Sequence, residues 1–379
     1  MNQLINKATE ISIECLKSSY GPLGIKTGGT RDTYWSWDSF FASFGAAEIK
    51  EFAIVKLTFE TFLKYQNSEG ALPRRISAPL PFYLLKFITP RFHPEIKKPS
   101  YSLIPFFAPP KFQNIVFLTA FRHYIEKSGD IPFLRKHYVQ LVYALGYIES
   151  SQKKGLIFEN YLENWDESIL KKGYVLFTNS LYYKALNDMI YLNKLLKKPF
   201  HEETYRAGIV KKRINELFWV GDYYADSIDK YTDLTFSTPG NLAAALFGIA
   251  DKKKSLKILK FIQSKGIDTP LPSKTNWPKY PFGKINPLNW VVLRAYHNES
   301  IWIWIGCLNI QLKLKLGKKE EAKADMLKIA DKIIKDKTVS EIYDSTGNQF
   351  KDHFYTAETS FAWSSGLFIY TAAQFDKLY

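Results

Sequence analysis

The spacing between helical segments constrains this chain more than any other feature of its sequence. Apolar residues recur at three- and four-residue intervals over about twelve stretches: 2–18, 38–47, 48–66, 111–127, 131–152, 176–197, 202–219, 240–250, 252–265, 299–316, 318–336 and 359–375. Short links (47 to 48, 127 to 131, 197 to 202, 250 to 252, 316 to 318) alternate with long ones (18 to 38, 66 to 111, 152 to 176, 219 to 240, 265 to 299, 336 to 359). A short link makes antiparallel neighbours, so the chain reads as helical hairpins strung on long loops. Six hairpins closing into a ring give an all-α (α/α)6 barrel, expected as a single domain over 1–379 with a lid-like insertion at about 67–110. The boundaries agree locally: Gly129 and Asp130 precede the helix that carries Pro132 in its first turn, and Gly266 stops the ninth.

If the even-numbered helices form the inner ring, every long loop leads into an inner N-terminus and all six gather on one face. Loops on a rigid scaffold carry binding and catalysis, and helix N-termini aim free N–H groups at that face. The residues just before the inner helices are therefore the candidates for function.

Composition removes several alternatives. A net charge of +15 is spread over the surface as lysine, without the concentrated stripe of a nucleic-acid reader. Cys15 and Cys307, the only cysteines, sit in helical apolar patterns and read as core residues. The amphipathic N-terminus is not a signal peptide, and the apolar run Leu80 to Ile88 is too short to span a bilayer. A soluble cytoplasmic protein is expected. The six histidines are scattered and no HExxH, CxxC or P-loop occurs, so neither a metal nor a cofactor is expected. The Asp226, Asp229 and Asp233 series is a weak calcium pattern and reads better as a surface turn.

Before the second helix, Arg31, Asp32, Tyr34, Trp35, Trp37 and Asp38 crowd together, an arrangement suited to a sugar subsite. There a tryptophan face stacks on a ring and Asp38 accepts hydroxyls; the plainer alternative is Asp38 as a helix cap over core tryptophans. Gln113 stands at the fourth helix, after a proline-rich loop that carries Arg74, Arg75, Arg91 and His93. Before the sixth, Glu159, Glu163, Asp166 and Glu167 flank Trp165, and close carboxylates raise one another's pKa. Tyr296, His297, Asn298, Ser300 and Trp302 precede or open the tenth, where Ser300 or Asn298 would cap. Glu341, Tyr343, His353, Tyr355 and Glu358 precede the twelfth; Glu358 reads as a carboxylate balancing the helix dipole, whereas Glu341 has less local reason to be acidic.

At these loops the chain resembles (α/α)6-barrel glycoside hydrolases of the glycogen-debranching amylo-alpha-1,6-glucosidase type, and is similar to trehalases and mannosylglycerate hydrolases. YWSWDSFF (34–41), ENWDES (163–168) with GYVLFTNSLYYKAL (173–186), AYHNESIWIWIG (295–306), and SEIYD (340–344) with FAWSSG (361–366) carry the resemblance in the family's order. The resemblance implies an inverting, exo-acting hydrolase of α-linked glucosyl or mannosyl units. It implies a carboxylate acid, Asp166 on the trehalase-like pattern or Glu167 on the debranching one, with Asp166 preferred. Glu341 is then the base, and Tyr34, Trp35, Trp37, Asp38, Gln113, Trp165, His297 and Trp302 contact a small or oligomeric carbohydrate. A sugar epimerase working through His297 and His353, or a non-catalytic carbohydrate-binding protein, are the alternatives.

Overall fold

In the computed structural model, residues 3–78, 97–102, 109–290, 294–351 and 355–376 are described. Among them are twelve α-helices: α1 Gln3–Ser18, α2 Ser36–Glu48, α3 Phe52–Lys64, α4 Phe112–Ser128, α5 Ile131–Glu149, α6 Leu176–Leu195, α7 His201–Leu217, α8 Thr238–Leu246, α9 Lys252–Ser264, α10 Ile303–Lys315, α11 Lys319–Asp336 and α12 Ala362–Asp376. The even-numbered helices pack each against the next, and α12 returns to α2, which closes the inner ring. Outside it, α5 lies on α4, α7 on α6, α9 on α8 and α11 on α10, while α1 packs against α11 and α12. The fold is the all-α (α/α)6 barrel.

Sequence decides which ring a helix joins. The outer α7 buries only Ala207, Val210 and Ile214, a single stripe. The inner α10 is buried continuously from Ile303 to Lys313, as a helix apolar on all sides must be. The ring closes tightly where α2 meets α12. A Cβ on Gly45 would lie 2.3 Å from the Gly366 carbonyl oxygen, so only glycine permits that approach. Inside the ring, aromatic rings fill the centre: Trp363 stacks on Phe41 at 4.5 Å and on Trp304 at 4.4 Å, and Trp165 meets Trp304 edge-on at 5.0 Å.

Among the described residues, eleven short strands dress the long loops. β1 (Tyr20–Gly21) pairs with β2 (Gly24–Ile25), and β3 (Tyr34–Trp35) pairs with β4 (Arg75–Ser77), which pairs with β5 (Lys98–Ser100). A six-stranded antiparallel sheet runs in the order β11 (Asn276–Trp277), β10 (Thr232–Ser237), β9 (Ala225–Ile228), β8 (Gly173–Val175), β7 (Leu156–Glu159), β6 (Gln152–Lys153). Strands of two to six residues leave too little alternation to be read from sequence. Within the 67–110 stretch, the described parts supply β4 and β5. Arg91, His93 and the apolar run from Leu80 to Ile88 lie outside the described residues, as does His353.

Several inner helices start elsewhere than periodicity predicts, α8 for example at Thr238 rather than 240. α2 opens at Ser36, directly from β3, so Trp37 and Asp38 occupy its first turn. The capping position is held by Trp35, without a side-chain hydrogen bond, and not by Asp38. α10 waits until Ile303 because Ile301 exchanges two backbone hydrogen bonds of 2.9 Å with Tyr343, and tertiary pairing wins over helix propensity. Neither Ser300 nor Asn298 caps it; Ser300 donates to the Tyr296 carbonyl and Asn298 grips Tyr280. α12 opens at Ala362 rather than 359. Both cysteines are free and buried. Among the described residues no helix is long and apolar enough to cross a membrane.

Candidate active site

Four of the six long loops meet in one pocket of about 110 Å3 at the N-terminal ends of the inner helices. The segment before α2 gives Thr27, Arg31 and Trp35, and the first turn of α2 adds Trp37 and Asp38. Trp165 and Glu167 come from the loop before α6, and Tyr296, His297 and Trp302 from the loop before α10. Glu341 and Phe361 come from the loop before α12, whose first turn adds Trp363. The floor is the aromatic cluster of the barrel centre, with Trp165 edge-on to Trp302 at 5.9 Å and to Trp363 at 6.2 Å.

Glu341 is held on both carboxylate oxygens. The Tyr296 hydroxyl donates to Oε1; Oε2 accepts from the Tyr355 hydroxyl, from the Glu358 N–H at 3.0 Å and from Arg31 Nη2 at 3.4 Å. Arg31 in turn pairs through Nε with Glu358 at 2.9 Å and donates to the Tyr355 hydroxyl at 2.5 Å. Burial opposes the Arg31 charge, but Glu341, the two tyrosines and Glu358 outweigh it and hold the guanidinium charged. Burial, then the Glu341 charge, pushes both tyrosines above their usual range, so each keeps its proton and acts as a donor.

Glu358 does more than balance a helix dipole. It stands four residues before α12, and its Oε1 accepts from Thr30 N at 3.0 Å, Thr30 Oγ1 at 2.6 Å and Arg31 N at 3.1 Å. The approach requires Gly28, where a Cβ would fall 2.6 Å from Glu358 Cγ. Glu358 thus ties the loop before α2 to the loop before α12, and Arg31 is the bridge.

The four acidic residues around Trp165 are parted by the fold. Glu159 is fully buried and accepts from Thr178 Oγ1 at 2.9 Å; burial pushes it well above the carboxylate range. Glu163 accepts from Asn160 N at 2.8 Å. Asp166 is buried away from the pocket and pairs with Lys171. Burial raises it to about 6 against the pull of Lys171, with Asp226 adding to the rise. Glu167 alone of the four lines the pocket, paired with Arg74, whose guanidinium is buried over the rings of Trp35 at 5.0 Å and Trp37 at 5.2 Å. Asp166, preferred from the sequence as the acid, is not among the residues that line the pocket; its carboxylate faces the buried Lys171.

Of the other expected contact residues, Trp35, Trp37, Asp38, Trp165, His297 and Trp302 line the pocket. Tyr34 and Gln113 do not. Tyr34 is fully buried with Lys97 over its ring at 5.0 Å, and Gln113 is fully buried with Nε2 donating to the Leu72 carbonyl at 3.2 Å. Asp38 is driven well above the carboxylate range by burial, then by Glu341, with Arg31 opposing and Glu167 adding. Both glutamates thus act on Asp38. His297 stacks on Trp302 at 5.6 Å, shares a 2.8 Å hydrogen bond with Ser168 Oγ and is kept neutral by burial and by Lys171.

Asp226 is not part of a surface turn; it lies fully buried in β9, paired with Lys171. Among the described residues no group of three His, Cys, Asp or Glu side chains is placed to hold a metal ion. Lys171 is the residue that sequence reasoning passed over, and Arg31, read only as part of a sugar subsite, proves to be the cation between Glu341 and Glu358. Lys171 stands beside Lys172 and looks like one more solvated lysine, though only 3% of it is exposed.

The amylo-alpha-1,6-glucosidase family matches residues 113–370. No curated protein matches by sequence. Among solved structures, a mannosylglycerate hydrolase of family GH63 from Thermus thermophilus, in complex with glucose, superposes with a TM-score of 0.71 at 15% identity, over 96% of this chain and 99% of that one. A glycosidase variant in complex with glucose gives 0.70 at 11% identity, over 99% of both chains. A rhamnosidase from Klebsiella oxytoca with rhamnose bound gives 0.71 at 12% identity, over 98% of this chain and 64% of that one. At such identities these likenesses speak for the fold.

Proposed function

We propose that this chain, a glycoside hydrolase that belongs to the amylo-alpha-1,6-glucosidase family, removes an α-linked glucosyl or mannosyl unit from a chain end with inversion, using Glu167 as acid and Glu341 as base. The observation that carries the assignment is that these two glutamates, from different long loops, line one pocket walled by tryptophan. Glu167 protonates the glycosidic oxygen as the bond breaks. Glu341 takes a proton from the water that attacks the anomeric carbon on the opposite face. In inverting enzymes the two carboxyl groups lie roughly 6.5–9.5 Å apart, which leaves room for that water.

The small volume and the closed aromatic floor suit one sugar ring at a chain end. Trp35, Trp37 and Trp302 offer faces to a ring, and Asp38 offers a buried carboxyl to its hydroxyls. The glucose in two of the fold's relatives favours a hexose of this kind. The test is a screen of reducing-sugar release over α-glucosides, α-mannosides, trehalose and isomaltose-type ends, repeated with Glu167→Gln and Glu341→Gln. Each substitution is expected to lower kcat by about 10²–10⁴-fold. Full activity in either variant would sink the assignment.

A further inference from the structure

Asp166 is excluded from the pocket, yet its surroundings are built with more care than a surface loop requires. Its carboxylate pairs with Lys171, and Lys171 Nζ reaches Asp226 Oδ2 at 2.9 Å and Oδ1 at 3.1 Å. The Tyr280 hydroxyl donates to Asp226 Oδ2 at 2.7 Å. Tyr280 is clamped at both backbone groups by Asn298: its N–H donates to Asn298 Oδ1 at 2.8 Å and its carbonyl accepts from Nδ2 at 3.1 Å. The next residue back, His297, bonds Ser168 at 2.8 Å, which returns the path to the loop where it began. All these side chains are buried.

We propose that this closed circuit, with the Asp166–Lys171–Asp226 triad at its centre, is the frame that positions Glu167 for proton donation. The inference rests on the reading of Glu167 as the acid. Residues 163–168 form no helix or strand, so no regular element fixes the direction of Glu167. The neighbouring groups do so instead. Asp166 is pinned on one side, Ser168 on the other, and the Glu167 carbonyl itself accepts from Asn286 Nδ2 at 3.1 Å. A buried triad with one cation and two carboxylates is a poor source of stability, because desolvation consumes the Coulombic gain. Asp166 Oδ1 is even left without a hydrogen-bond partner. Its contribution is geometric, and misplacing a reacting group by about 1 Å costs on the order of 10²-fold in rate.

The charge count supplies a clean test. Asp166→Asn leaves Lys171 paired one to one with Asp226, so that variant is expected to fold, whereas Lys171→Met leaves two carboxylates facing each other and is expected to be unstable. Asp166→Asn, Glu167→Gln and the double variant are assayed on the methyl and 2,4-dinitrophenyl α-glycosides of the sugar that the wild type releases. Dinitrophenolate leaves without protonation, so only the methyl glycoside needs the acid. Asp166→Asn is expected to lose about 100-fold in kcat on the methyl glycoside. Its KM should hold, the dinitrophenyl glycoside should be cleaved at nearly the wild-type rate, and the double variant should be no slower than Glu167→Gln. Equal slowing on both glycosides, wild-type rates on both, or losses that multiply in the double variant would overturn the positioning role. If Glu167→Gln instead keeps the methyl-glycoside activity, the assignment of the acid itself falls, and that outcome is separate from the other three.

Discussion

The two glutamates of the pocket are held in opposite ways. Glu341 is gripped through its own carboxylate by two tyrosine hydroxyls, a backbone N–H and Arg31. Glu167 pairs through its side chain with Arg74, and its loop is pinned through its neighbours and its carbonyl. The difference suits the chemistry that the proposed roles ask of each. A base that orients a water molecule works best with a fixed carboxylate, whose hydrogen bonds are in place before the reaction starts. An acid must carry a proton to the glycosidic oxygen and then hold the charge left behind, so fixing its backbone while leaving its oxygens freer serves it better. Arg74, buried beside it, stands ready to stabilise that carboxylate once the proton has gone.

Breaking the base side should cost most. Glu341→Gln keeps the shape and removes the proton acceptor, with an expected fall of about 10²–10⁴-fold in kcat measured on any cleavable glycoside. Arg31→Leu leaves Glu341 and Glu358 facing each other without their cation. Because Arg31 keeps 31% of its side chain exposed, the expected loss of stability is about 2 kcal/mol by urea denaturation, below that of a fully buried pair. Tyr355→Phe removes one donor to Glu341 and should cost about 1–2 kcal/mol in transition-state stabilisation, read as a roughly tenfold drop in kcat/KM.

Asp166→Asn gives an expected change in stability of opposite sign. Its folded pKa, about 6, lies above the unfolded aspartate value of about 3.9. Between these values the unfolded chain ionises first, so the wild-type carboxyl progressively favours unfolding as pH rises. The asparagine variant should therefore match the wild type near pH 4 and melt at a higher temperature above pH 6. A thermal melt series over that range checks it, and a lower Tm at pH 7 would contradict it. Set against Arg31→Leu, the expected outcome is that the residue beside the proposed base also stabilises the fold and the one beside the proposed acid does not.

Much of this architecture was legible in the chain. The alternation of short and long links survives in the structure as two concentric rings, because inner helices must be apolar all round and outer ones need only a stripe. Trp35, Trp165, Trp302 and Glu341 reach the pocket because they precede or open inner helices, a position that sequence order reveals. What could not be read is direction within a loop. Trp165, Asp166 and Glu167 are consecutive, and nothing local says which of them faces the cavity. In the fold Asp166 pairs with the buried Lys171, and Trp165 and Glu167 line the pocket. Gln113 illustrates the same blindness, since its place at the start of α4 is right for a contact but it is fully buried outside the pocket lining, with Nε2 donating to the Leu72 carbonyl. Arg31 and Glu358 were unreadable as a pair because they are more than three hundred residues apart and only ring closure brings them together.

The stereochemistry of the first product tests the central claim most directly. With an α-glycoside that the wild type cleaves, proton NMR during the first minutes, before mutarotation, follows the anomeric signal of the released sugar. A Glu167 and Glu341 pair acting on opposite faces predicts that the β-anomer appears first and the α-anomer grows in later. Initial release of the α-anomer would mean retention through a covalent intermediate, and the assignment of Glu341 as a base toward water would be contradicted.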